Sequence, residues 1–399
     1  MTAQKRVLAT VFVTVLLDLV GFGILLPAQP FLTESMGASP TLVTLAGATY
    51  SAMQFIFAPL WGRLSDRVGR RPVMLTSITF GIIGYVMLGY ADSLTMLFAA
   101  RAVAGFGNAN LAVAQAVVAD VLPPDERTKG MGLIGAAFGL GFIIGPAIGV
   151  GAIRYGLHGP AWTAAALGLC NLVMALAWLG ESFPASARQA IRSSTVTAGR
   201  LDAALLPGVP RLLMTLFLYT TGFALMEQVV SLFIERHWAV TTATRFKVEN
   251  AIQLSAYFMV TVGLSGALVQ GVLIRKLTRP DREHVLALLG VGIVVLAFVA
   301  IPAITSLPFV SMLVAAGVIA LGSGLANPSL LALLSRRAPE QMRGAVMGVG
   351  QSASALGRVV GPSVAGWLFE RGHSLPFLCG ALLIALCLPL VARAGSQRT

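Results

Sequence analysis

The sequence predicts an all-α integral membrane protein made of two pseudo-symmetric six-helix bundles. Three observations carry that prediction. Hydrophobic residues make up 56% of the 399 positions and charged ones only 11%, against roughly 45–50% and 25% in soluble domains, so the excess apolar surface must face lipid. Apolar stretches of about 20 residues recur from end to end, each long enough to cross the hydrocarbon as a helix. The halves also repeat: a shift of 216 positions carries Pro123, Arg127, Gly132, Gly141, Gly145 and Pro146 onto Pro339, Arg343, Gly348, Gly357, Gly361 and Pro362, the mark of a parallel duplication.

Twelve spans are expected at 7–32, 40–62, 73–91, 94–121, 128–152, 160–180, 209–234, 248–274, 284–303, 307–335, 344–369 and 375–394. The first follows Lys5 and Arg6 and runs past Phe31 with no small-residue cleavage pattern, so it reads as a retained helix and not a signal peptide. The bundles occupy 1–180 and 209–399. Between them the polar segment 181–208, with Arg188, Arg192, Arg200 and Asp202, reads as a cytoplasmic linker. Of the 28 Lys and Arg residues, 21 fall at the termini or in every second loop, whereas the opposite loops hold only Arg154, Arg236, Arg245, Lys247 and Arg371. That bias places both termini in the cytoplasm. The net charge of +12 therefore reports orientation, and no nucleic-acid partner is implied. Cys170, Cys379 and Cys387 lie in apolar stretches without C-x-x-C spacing, so neither a disulfide nor a metal site is expected.

Four charges lie more than one helical turn from either end of their span. Asp18 sits about eleven residues into the first, where an ionised side chain facing lipid costs at least about 2.5–3.5 kcal/mol. Glu227 lies in span seven, Arg358 deep in span eleven, and Arg101 in the first half of span four. Span seven is the counterpart of span one, so Glu227 is expected opposite Asp18 across a central pocket, either as a second proton- or cation-binding group or as a partner for Arg358. Asn108, Asn110, Gln115, Gln228, Tyr257, Asn327 and Gln351 are further pocket candidates for substrate, although polar residues at such places also join helices.

The loop Gly62-Arg63-Leu64-Ser65-Asp66-Arg67-Val68-Gly69-Arg70-Arg71 resembles the signature of the major facilitator superfamily between spans two and three. The resemblance implies that Asp66 caps the start of span eleven near Gly344 and that Arg70 pairs with Asp120. On the same ground Gly62, Asp66, Arg67, Gly69, Arg70 and Asp120 form a latch for the outward-facing state. Arg101-x-x-x-Gly105-x-Gly107 is similar to the family's span-four motif, whose arginine is implicated in proton coupling. Span five carries glycines at 135, 139, 141, 145 and 149 with Pro146. Small residues at spacing four give a smooth packing face, and the proline frees a carbonyl. Gly141, Gly145, Pro146 and Gly149 resemble the antiporter motif of the superfamily's exporters, which favours efflux. Asp18, Gly21, Gly23, Pro27 and Pro30 resemble the span-one pattern of twelve-span proton-driven drug exporters, the tetracycline group among them. This chain has no acid in 73–90 and no histidine in 251–274, a departure that tells against tetracycline itself as substrate.

The expectation is a proton-coupled secondary transporter that exports hydrophobic or amphiphilic compounds by alternating access, monomeric, in the cell membrane of a bacterium. The alternative is an exporter or flippase of an amphiphilic lipid or an endogenous metabolite, with Arg358 on an anionic head group. An enzyme is not expected. There is no G-x-x-x-x-G-K-[ST] sequence, and His158, His237, His284 and His373 all lie near loops, so neither a cofactor nor ATP is implied.

Overall fold

The computed structural model describes residues 3–107, 110–122, 127–183, 204–239, 244–273, 282–339 and 342–395, and every regular element among them is helical. The helices of the first half are α1 (Ala3–Leu25), α2 (Gln29–Ser35), α3 (Pro40–Val68), α4 (Arg70–Gly89), α5 (Leu94–Gly107), α6 (Asn110–Val121), α7 (Arg127–Ala152) and α8 (Gly159–Trp178). Those of the second are α9 (Val209–Trp238), α10 (Thr244–Leu268), α11 (Glu283–Ala303), α12 (Val310–Arg336), α13 (Arg343–Arg371), α14 (Leu375–Ala385) and α15 (Cys387–Gly395). Proline in the first turn opens α2, α8, α9 and α14, where its missing N–H costs nothing. Gly69, at φ 119°, breaks α3 from α4 in a conformation that a side chain would resist.

Among the described residues, ten helices are long and apolar enough to cross a membrane. Two expected spans are not among them. The span at 94–121 is described as α5 up to Gly107 and α6 from Asn110, and positions 108 and 109 between them lie outside the described residues. The other is α13, 29 residues long but rich in Gly, Ser and Arg.

The chain forms two compact units, 1–38 with 49–196, and 39–48 with 197–399. Residues 39–48 thus group with the second half although the remainder of α3 belongs to the first. Most of the expected linker, 184–203, lies outside the described residues.

Each unit contains a glycine seam between matching helices. In the first, α7 presses on α1: a Cβ added at Gly141 would lie 2.7 Å from Leu19 Cβ, at Gly145 2.7 Å from Gly23 Cα, and at Gly149 2.5 Å from the Ile24 carbonyl. Pro146 follows the middle contact inside α7. In the second, Gly357 and Gly361 of α13 press on α9 in the same way, against Thr220 Cβ at 3.0 Å and Ala224 Cβ at 2.7 Å. Gly135 and Gly139, like Gly62 of α3, have nothing within 4 Å of an added Cβ, so the packing face expected along α7 is confined to Gly141, Gly145 and Gly149.

Matching the seams pairs Leu19 with Thr220 and Gly23 with Ala224, an offset of 201 residues. On that register Asp18 corresponds to Tyr219, and Glu227 to Leu26. The two acids are therefore not counterparts. Eight residues separate their positions, about 12 Å along a helix at 1.5 Å per residue.

Candidate functional site

Asp18 sits on the α1 face one residue before the Leu19 contact with α7. Asn171 of α8, fully buried, donates from Nδ2 to Asp18 Oδ1 at 2.8 Å and to the Thr14 carbonyl at 3.1 Å. On the other side, a cavity of about 20 Å³ is lined by Asp18, Ser77, Gly81, Tyr85, Gly107 and Gly168, room for roughly one water molecule. The Ser77 hydroxyl donates to the Gly107 carbonyl.

Arg101 is 4% exposed. Its guanidinium stacks over the Tyr50 ring at 4.4 Å, a favourable placement for a cation whose hydration is weak, and Tyr50 in turn stacks on Phe22 of α1. Close packing makes this possible: a Cβ at Gly105 would strike the Tyr50 carbonyl at 2.4 Å. Tyr85, buried on α4, lies within electrostatic reach of Asp18, Arg101 and Tyr50. Acid and arginine thus share Tyr85 as an electrostatic neighbour. Tyr50, Tyr85 and Asn171 were absent from the expected site. Their one sequence signal is polarity inside apolar spans, which also marks many packing residues.

At the other end of α4, the Arg70 guanidinium donates from Nε to Asp120 Oδ2 at 2.9 Å and from Nη1 to Asp66 Oδ1 at 2.6 Å and Ser65 Oγ at 2.7 Å. It also lies 4.8 Å from the Phe183 ring centre. A residue that the sequence assigns to the linker completes this knot. Glu181 Oε1 accepts from the backbone N–H groups of Arg70 and Phe183, and Oε2 from that of Arg71, so a carboxylate caps the positive start of α4. Arg67 is exposed.

In the second unit, half-buried Glu227 of α9 lies within electrostatic reach of Arg358 of α13, which is exposed. An exposed arginine in mid-span must border water and not lipid. Tyr257, half exposed on α10, accepts from Gln253 Nε2 at 3.1 Å. Gln228 faces Gly47, whose added Cβ would lie 2.2 Å from its Oε1. Asn327 and Gln351 are exposed and Gln115 is half-buried. Asn108 lies outside the described residues, and Asn110 opens α6.

A family model for the Major Facilitator Superfamily matches residues 11–362. The chain belongs to this superfamily. As a facilitator it is a multi-pass membrane transporter of small substrates and not an enzyme. It is similar to the class C tetracycline resistance protein of Escherichia coli, 30% identical and covering 99% of this chain and 98% of that one. It is also similar to the major facilitator superfamily domain-containing protein 10 of Mus musculus, 28% identical over 96% of this chain and 91% of that one. Among solved structures, the crystal structure of the human organic anion transporter MFSD10 superposes with a TM-score of 0.74 at 26% identity, covering 98% of this facilitator and 100% of that chain.

Proposed function

We propose that this facilitator is a proton-coupled exporter of hydrophobic or amphiphilic compounds in a bacterial cell membrane, crossing it twelve times with both termini in the cytoplasm. One observation carries the reading: a carboxylate at mid-span, Asp18, borders a water-sized cavity and sits beside the α1–α7 glycine seam. A group there gains and loses a proton as its surroundings alternate between wet and dry. Facing outward, Asp18 takes up a proton as substrate leaves; facing the cytoplasm, it gives the proton up and the next molecule binds. Arg101, with Tyr50 and Tyr85, supplies the fixed positive charge that the acid answers. Each proton moving down 100 mV provides about 2.3 kcal/mol. The knot at Arg70 serves as the latch between the two states. The similarity to tetracycline resistance proteins points the same way.

The test is transport by the purified protein in liposomes under an imposed pH gradient, over cationic, zwitterionic and anionic amphiphiles. Accumulation that follows the gradient and collapses with a protonophore is expected. Flux indifferent to the gradient for every class contradicts the reading.

A second reading, an exporter of anionic amphiphiles, draws on exposed Arg358 beside Glu227 and on the likeness to a protein titled an organic anion transporter. In that case the anionic arm of the same assay carries the flux.

A further inference from the structure

We infer that Asn171 is the positioning residue that decides when Asp18 holds a proton, acting as an amide switch read by the carboxyl group. The inference rests on Asp18 being the coupling acid. Asn171 has no exposed surface, and its Nδ2 serves two acceptors at once, Asp18 Oδ1 at 2.8 Å and the Thr14 carbonyl at 3.1 Å. Only an NH₂ group can satisfy both. With the carboxyl ionised, the amide is therefore fixed in one orientation.

Asn171 Oδ1 and Thr14 Oγ1, by contrast, are buried with no hydrogen-bond partner. A buried acceptor left unsatisfied is costly, and this one lies on the residue that touches the acid. When a proton binds Asp18, the carboxyl becomes a donor, and Asn171 Oδ1 is an acceptor with free capacity. A half-turn of the amide turns Oδ1 toward the carboxyl, forming the O–H···Oδ1 bond and releasing the Thr14 carbonyl. Proton gain on α1 is thereby exchanged for a lost tie between the α1 backbone and α8. No other atom is transferred.

The neighbourhood suits such a switch. Tyr85 of α4 lies within electrostatic reach of Asp18, and Tyr50 of α3 and Arg101 of α5 lie within reach of Tyr85. From Leu133 onward α7 carries no ionisable residue. On α8 the ionisable group is Cys170, which is exposed, and on α6 it is Asp120, which is held by Arg70. Asn171 is thus a group in direct contact with the acid whose hydrogen bond distinguishes its two forms.

The experiment is infrared pH-difference spectroscopy of the full-length protein in liposomes, following the protonated-carboxyl C=O band that Asp18→Asn removes. Asn171→Leu deletes the donor that favours the ionised form, so the midpoint of the band should move to higher pH by about one unit. Asn171→Asp, nearly isosteric, puts a second carboxyl at the same place and should move it further. It also carries the test if the leucine variant fails to fold. An unmoved midpoint in the variants that fold overturns the inference while leaving Asp18 as proton carrier. If Asp18→Asn removes no titrating band from the wild type, the carrier reading falls and the inference falls with it.

Discussion

Gly145 of α7 and Gly23 of α1 meet backbone to backbone, with 2.7 Å between Gly23 Cα and the point where a Gly145 Cβ would stand. No flexible side chain is there to yield. Gly145→Ala should therefore push the helices apart, at about 1–3 kcal/mol of overpacking, and lower both melting temperature and transport. Gly139→Ala, at an open position of the same helix, should leave both unchanged. Equal behaviour of the two variants in a melting assay would show that the seam is not the tight element it looks to be.

The Arg70 knot predicts an order of effects. Asp120→Asn leaves the arginine with Asp66 and Ser65, whereas Arg70→Ala releases all three and exposes the acids to each other. Glu181→Gln weakens the cap on α4 but keeps an acceptor. Loss of thermal stability should rank Arg70→Ala above Asp120→Asn above Glu181→Gln. Removing one partner of a buried pair costs about 3–5 kcal/mol, and the largest effect should approach that range.

Glu370, at the end of α13, accepts from the backbone N–H of Thr41 at 3.0 Å. That bond, first among several, holds the carboxyl below its ordinary range. A depressed carboxylate contributes stability that is present above the unfolded value, near pH 4.3, and lost as pH falls through the lower folded value. Glu370→Ala should melt below wild type above about pH 5, and the two melting curves should converge as pH drops below about 4. The group is exposed, so the gap should be small and should shrink with salt.

Arg358→Ala should reduce flux of anionic amphiphiles several-fold more than flux of cationic ones, because an exposed mid-span guanidinium favours a negative head group. Competition assays with paired anionic and cationic probes measure the ratio directly. Equal losses would assign Arg358 to holding Glu227 in place.

The membrane fold was legible because hydropathy, glycine spacing and the Gly62–Arg71 motif are local signals. Gly141, Gly145 and Gly149 could be read as a packing face, although the sequence could not tell that Gly135 and Gly139 have nothing to pack on. The register of the glycine seams matches Asp18 with Tyr219 and not with Glu227. The repeat offset is 216 at α7 and α13 but 201 at α1 and α9, because intervening loops differ in length, so mid-span position alone does not set depth. Asn171 and Tyr85 stayed hidden because a lone polar residue in an apolar helix does not reveal which neighbour it faces. Glu181 was hidden for the opposite reason: at a span end it looks like ordinary linker charge.

The central claim is most directly tested by counting protons against substrate in liposomes carrying Asp18→Asn. The account predicts that this variant inserts and melts close to wild type yet moves no substrate against its gradient when a pH gradient is imposed, while passive exchange of substrate survives. Uphill transport at the wild-type rate, with protons still moving alongside, would contradict it.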